Sequence, residues 1–142
     1  MVKKEMSEID EYFKDEYKIS TSFSLAPMYK MRLRKLSVKF YGSDNDLIAT
    51  TLRRIIVIEA LDIMKGIPIN NKLWEETEKA GDRESMMLKI NDKIERLLQE
   101  VVTVHFVSRS HFARYAILDT FYKYFPEEQV GKAKVVSLGR LF

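Results

Sequence analysis

Apolar and polar residues alternate along two short stretches of the chain. In Ile19–Leu25, the odd-numbered positions carry Ile, Thr, Phe and Leu, whereas every even-numbered position carries serine. In 85–90 the alternation is weaker, because Met87 stands on the side that is otherwise polar. A period of two is typical of a strand with one buried face. The pattern therefore predicts two half-buried strands.

Each predicted strand is followed by a segment in which apolar residues recur every three or four positions. The recurring residues are Tyr29, Leu33, Leu36 and Phe40 in the first segment, and Ile94, Leu98, Val101 and His105 in the second. This spacing predicts one amphipathic helix after each strand. Pro27 suits the first turn of the first helix, and Asn91 or Asp92 is expected to cap the other.

A serine-led turn and a more apolar helix complete each half. In the first half, Ser43 is predicted to cap the helix, with Asp46 three residues later as a near capping box. In the second half, Ser108 takes the same position without an acidic partner. The helical segments that follow, 47–64 and 112–125, are apolar on most sides, which predicts that both are buried between packing partners.

The two halves form a repeat at a fixed offset. Shifting the chain by 65 residues aligns 25–61 with 90–126 without a gap, so that apolar and cap positions coincide although identities are few. Leu33 then meets Leu98, and Ser43 meets Ser108. A unit of roughly 45 residues is too small to form its own core. We therefore expect each half to fold against another copy.

The order of strand, helix, serine-led turn and helix resembles the ribbon–helix–helix family of DNA-binding proteins. Three stretches carry the resemblance, 22–27, 43–48 and 107–114, and the last, V-S-R-S-H-F-A-R, is close to the family pattern V-S-R-S-x-hydrophobic-x-R. Because both copies lie in one chain, it is similar to the fused, tandem regulators of archaeal viruses and mobile elements. The resemblance implies a mainly α fold with a short two-stranded antiparallel ribbon, in which two motifs form an intrachain pseudo-dimer.

The resemblance also divides the chain and assigns a function to it. The expected parts are an N-terminal arm (1–17), a first motif (18–65), a linker (66–83), a second motif (84–125) and a C-terminal tail (126–142). The implied function is that of a transcription regulator that binds double-stranded DNA in a sequence-specific manner and lays its ribbon in the major groove. Pseudo-dimers are expected to associate with one another on DNA.

Outward ribbon residues and the N-termini of the second helices are the implied DNA contacts. The expected base contacts are Ser20, Ser22, Ser24, Ser85, Met87 and Lys89. The expected phosphate contacts are Ser43, Asn45, Ser108, Arg109 and Ser110. Because the two strands differ in sequence, the ribbon is expected to read an imperfectly symmetric site.

Charge supports an anionic partner only in part. The net charge is +3, and 18–65 holds nine basic against four acidic side chains, a density typical of a phosphate-binding face. Asp44 and Asp46 oppose a phosphate in the first turn, whereas Arg109 in the second half occupies the position of Asp44 and favours one.

Other classes of protein are less favoured. The absence of cysteine excludes disulfides, Cys-ligated metals and thiol catalysis. His105 and His111 are six residues apart, which is not a helix-face spacing, so we expect no metal. No motif places a base beside Ser22 or Ser24, and the five glycines are not clustered into a phosphate-binding loop, so we expect no cofactor and no enzymatic activity. The aromatic residues of 106–125 have a spacing that predicts core packing. No apolar run approaches the ~20 residues of a membrane span, and a cytoplasmic location is expected.

Two alternatives remain open from the sequence. A relaxosome or partition accessory protein of a mobile element would use the same ribbon and helix termini. An antitoxin-like protein–protein module without DNA binding is favoured weakly by Asp44 and by the all-serine face of the first strand. The arm is either disordered or a helix that presents Ile9, Tyr12, Phe13 and Tyr17 on one face, and the apolar tail is expected to dock on the body or on another molecule.

Overall fold

The protein is mainly helical, with one small antiparallel sheet. The computed structural model describes residues 8–45, 47–78, 84–105 and 107–128. The elements are a 3-10 helix (Glu11–Phe13), β1 (Ile19–Leu25), α1 (Pro27–Tyr41), α2 (Ile48–Met64), α3 (Asn71–Glu76), β2 (Glu84–Ile90), α4 (Asp92–His105) and α5 (Arg109–Tyr124). The predicted fold class, mainly α with a short two-stranded antiparallel ribbon, is confirmed at this level.

The two strands pair along their full length. Ile19 lies opposite Ile90, and Leu25 lies opposite Glu84. The central pair is Ser22 with Met87, which are also the two positions that the 65-residue offset equates. The centre of the ribbon therefore lies at Ser22 and Met87, the two positions that the sequence repeat makes equivalent.

Burial alternates along both strands as predicted. Phe23, Leu25, Leu88 and Ile90 are buried in the core, whereas the residues between them point away from it. Met87 is 64% exposed and lies on the outward face despite its apolar side chain. The period of two therefore located the core face of each strand correctly.

The second helix of each half packs against the other half. Helix α2 contacts α4 and β2, and α5 contacts α1 and β1, while α2 and α5 also contact each other. A single core joins both halves. Each half thus completes the core of the other, as the small size of one repeat requires.

Local signals fix the starts of three helices. Pro27 occupies the first turn of α1, where its missing N–H costs no hydrogen bond. Asn91 caps α4, because its Oδ1 accepts a hydrogen bond from the backbone N–H of Ile94 at 3.0 Å. Ser108 caps α5 in the same way, accepting from the N–H of His111 at 3.0 Å. The position of Pro27 and the two caps agree with the sequence prediction.

The predicted cap at Ser43 is wrong. Helix α2 begins at Ile48 with Leu47 at the cap position, and Leu47 provides no side-chain cap hydrogen bond. The Ser43 hydroxyl instead accepts a hydrogen bond from the N–H of Asn45 at 3.1 Å, inside the turn. This local bond competes with capping. When the two halves are aligned by the 65-residue offset, helix α2 consequently starts about one turn later than α5. Asp46 lies outside the described residues.

The linker and the arm cover the ends of the core. Asn70 caps the short helix α3 by accepting from the N–H of Leu73 at 3.2 Å. Trp74 packs against the core. In the arm, Tyr12 and Tyr17 also pack against the core, which favours the ordered alternative for its described part. The tail from residue 129 lies outside the described residues.

Membrane-spanning helices are absent from the part of the chain that the structure describes. None of its helices combines the length and the apolar character that a bilayer requires.

Candidate nucleic-acid interface

The six residues predicted to contact bases lie on one face of the ribbon. They form three cross-strand pairs, Ser20 with Lys89, Ser22 with Met87, and Ser24 with Ser85. All are exposed except Ser24, which is half-buried. Seven residues of strand extend about 20 Å, and a two-stranded ribbon fits the ~12 Å width of a DNA major groove. The face is thus small, polar and open.

Two arginines anchor the ribbon backbone to the helices beneath it. Arg53 of α2 donates from Nε to the carbonyl of Lys89 at 2.7 Å, and Arg114 of α5 donates to the carbonyl of Ser24 at 3.0 Å. Ser24 and Lys89 are equivalent positions at the 65-residue offset. Each strand is therefore held at the same point by an arginine from the opposite half.

Arg114 ties three backbone segments together although it is only 4% exposed. Besides the carbonyl of Ser24, it donates to the carbonyls of Thr77 at 2.8 Å and Glu78 at 3.1 Å. It thereby joins the ribbon to the end of the linker helix. Sequence reasoning assigned it no role, although a cation inside an apolar helix is a signal of internal pairing.

The N-terminus of α5 lies against the edge of β1. The Ser110 hydroxyl accepts a hydrogen bond from the N–H of Ser24 at 2.8 Å, and Arg109 reaches the Thr21 hydroxyl at 3.3 Å. The N–H groups of Arg109 and Ser110 belong to the first turn, so they have no acceptor within the helix. Ser108, Arg109 and Ser110 therefore gather beside the ribbon, as the resemblance implies.

Arg109 is already paired with an acid. It forms a two-pronged contact with Glu95 at 2.8 and 2.5 Å, and it also donates to the Gln99 side chain at 3.1 Å. Hydrogen bonding to Arg109 lowers the pKa of Glu95, and the same pair raises the pKa of Arg109. The guanidinium is thus held in place, but Glu95 offsets much of its charge.

The N-terminus of α2 lies near β2 and is bordered by other cations. Lys30 and Arg34 of α1 line a cleft of about 410 Å³ together with Ile48, Ala49 and Met86. Lys30 pairs with Glu84 at 2.6 Å. Ser43 and Asn45 are exposed in the turn before this helix and do not cap it.

The two halves place their cations at different positions. Lys30 and Arg34 correspond at the 65-residue offset to Glu95 and Gln99, and Asp44 corresponds to Arg109. In the first half the positive charge thus comes from the first helix and the acid from the turn. In the second half these roles are exchanged. Each half therefore has basic side chains beside the start of its second helix.

His111 and most of the described aromatic residues of 107–125 pack in the core. His111 is buried, stacks on Trp74 with ring centroids 4.0 Å apart, and bonds through Nε2 to the Trp74 carbonyl at 2.9 Å. Phe112 and Phe121 are buried, as predicted, while Tyr124 is 47% exposed. Among the described residues, no group of three potential ligands is placed to hold a metal ion.

The candidate interface is therefore an exposed ribbon face with a helix N-terminus and basic side chains along each edge. Comparisons with protein-family models, with curated proteins and with solved structures give no match for this chain.

Proposed function

We propose that this chain is a sequence-specific regulator of transcription that binds double-stranded DNA as an intrachain pseudo-dimer of two ribbon–helix–helix motifs. One observation carries the proposal. The strand register is symmetric about Ser22 and Met87, and the sequence repeat equates the same two residues. Two equivalent motifs that pair through their strands would produce this register, in which equivalent residues lie opposite each other at the centre.

Base contacts come from the outward ribbon face. Lysine donates well to the O6 and N7 acceptors of guanine, serine bonds to several base edges, and an apolar side chain contacts the methyl group of thymine. Lys89 is therefore the proposed guanine contact, and Met87 the proposed thymine contact. Ser20, Ser22, Ser24 and Ser85 are proposed to complete the readout.

Phosphate contacts come from the two edges of the ribbon. A helix N-terminus attracts anions through its free N–H groups and its dipole. Ser108, Arg109 and Ser110 are proposed to hold the backbone on one side. On the other side, Lys30 and Arg34 join Ser43 and Asn45, and their charge counters that of Asp44. Such contacts fix the protein on the duplex but do not read its sequence.

A protein–protein module is the second candidate. The Arg109–Glu95 pair favours it, because a cation neutralised by a carboxylate binds a phosphate less strongly. The accessory role in a relaxosome or partition complex uses the same DNA contacts as the main proposal, so it predicts the same binding behaviour.

Selection of bound duplexes from a random pool tests the main proposal. We expect an enriched motif and an affinity that falls steeply with salt, by a log–log slope of about −0.9 for each phosphate contacted. The affinity for the selected duplex is measured by gel retardation at two salt concentrations. Absence of any enriched sequence, with no retardation at low salt, would contradict the proposal and support the protein–protein module.

Glu95→Gln is expected to tighten DNA binding by roughly 3- to 10-fold. It should also make the log–log dependence of affinity on salt steeper by about 0.9, the value for one phosphate contact. The substitution removes a carboxylate beside the proposed phosphate site and releases the Arg109 charge. The matched control is Glu100→Gln, which removes an exposed carboxylate from the same helix and should change affinity little. Equal effects of the two variants, or weaker binding by Glu95→Gln, would show that Arg109 does not contact phosphate.

A further inference from the structure

The two ends of the ribbon differ in charge, although its register is symmetric. At one end Lys89 lies opposite Ser20, and its side chain is exposed and forms no hydrogen bond or ion pair with another described residue. At the other end Ser85 lies opposite Ser24, and neither carries charge. The sequence alone predicts an uneven ribbon, but only the register tells which residues share an end.

Flanking cations occur at both ends, because Lys18 precedes β1 and Arg83 precedes β2 at the equivalent position. Lys18 immediately precedes β1 at the Lys89 end, with its side chain 79% exposed, and its 3.5 Å contact with the equally exposed Glu16 is a weak surface pair. Arg53 lies at the same end, because its Nε bonds to the Lys89 carbonyl. At the opposite end, Glu84 is joined to Lys30 at 2.6 Å, and Arg34 lies close enough to help lower the pKa of Glu84. The outward side chain of Lys89 is therefore the main difference between the two ends.

We infer that the protein binds its DNA in a single orientation, with the Ser20–Lys89 end on a guanine-containing half-site and the Ser24–Ser85 end on the other half. This inference rests on the proposed DNA-binding function. A lysine at one end reads guanine in one half-site only, whereas the serines at the other end do not require that base. A symmetric ribbon would bind in both orientations equally well.

Site-directed DNA cleavage measures orientation directly. The chain contains no cysteine, so an iron–EDTA reagent attached to one introduced cysteine has a defined position. Glu16→Cys places the reagent before β1 at the Lys89 end, and Met28→Cys places it just after β1 at the other end. Neither residue is a proposed DNA contact.

Each derivative is bound to a selected duplex and is expected to cut on one side of the centre, with the two derivatives on opposite sides. Glu16→Cys should cut beside the guanine. Cutting on both sides by each derivative, with tight binding retained, would overturn the single orientation but leave the proposed function intact. Absence of binding by the unlabelled protein would overturn both.

Moving the lysine provides an independent test. Lys89→Ser is expected to weaken binding to the selected duplex by about 5- to 150-fold and to make the cleavage two-sided. The double variant Ser24→Lys with Lys89→Ser carries the lysine at the equivalent position of the other strand, so its cleavage pattern should reverse. Lys39→Ser removes an exposed lysine from α1 and serves as the control, with an unchanged pattern expected. An unreversed pattern in the double variant would overturn the role of Lys89.

Discussion

Arg114→Met is expected to lower the free energy of unfolding by about 3–5 kcal/mol, because hydrogen bonds from a buried cation are worth more than neutral ones and their loss leaves one buried and two partly buried carbonyls without this donor. The three carbonyls belong to Ser24, Thr77 and Glu78. Methionine fills much of the same volume, so the expected loss reflects the missing hydrogen bonds rather than a cavity. Such a loss is a large part of the 5–15 kcal/mol that typically stabilises a domain.

Urea denaturation, followed by the fluorescence of the single tryptophan, Trp74, measures this effect. The matched control is Arg54→Met on α2, because Arg54 is exposed and forms no hydrogen bond or ion pair with another described residue. It should change stability by less than about 0.5 kcal/mol. If the two variants unfold at similar urea concentrations, Arg114 does not anchor the ribbon as described.

Glu59→Gln is expected to make the protein more stable at pH 8 while changing little at pH 4. Glu59 is 4% exposed, and burial raises its pKa to about 9, assisted by a hydrogen bond with Asp119. In the unfolded chain the same group ionises near pH 4.5. Between these values the unfolded state is ionised and the folded state is not, so rising pH favours unfolding. Lys123, 3.6 Å away, and the nearby Asp62 also act on this group.

The substitution mimics the protonated acid and removes this pH dependence. Each pKa unit of difference corresponds to about 1.4 kcal/mol, so the variant should gain more than that at pH 8. Urea unfolding is measured for both proteins at pH 4, 6 and 8. Glu100→Gln controls for the loss of a surface carboxylate. A gain that is the same at all three pH values would mean that Glu59 is ionised in the folded protein.

Local sequence patterns were sufficient to predict most elements of the fold. The alternation in 19–25 and 85–90 identified the strands and their buried faces, and Pro27, Asn91 and Ser108 marked three helix starts. These signals depend on neighbouring residues alone. The start of α2 was missed because the Ser43 hydroxyl can bond either to a helix or to its own turn, and the sequence does not decide between them.

The contacts of the candidate site were harder to predict, because they join residues far apart in the chain. The six outward residues followed from periodicity, but their pairing followed only from the register. Arg109 carries the expected charge, yet Glu95 lies 14 residues before it, and its role depends on how α4 and α5 meet. Arg53 and Arg114 likewise reach carbonyls 36 and 90 residues away. Such contacts are set by tertiary packing.

Methylation interference on a selected duplex tests most directly whether the outward ribbon face enters the major groove. Dimethyl sulfate modifies guanine at N7 in the major groove and adenine at N3 in the minor groove. We expect that N7 methylation of guanine near the centre of the site blocks binding and that N3 methylation there does not. Binding blocked only by minor-groove methylation, or insensitive to both modifications, would contradict the account.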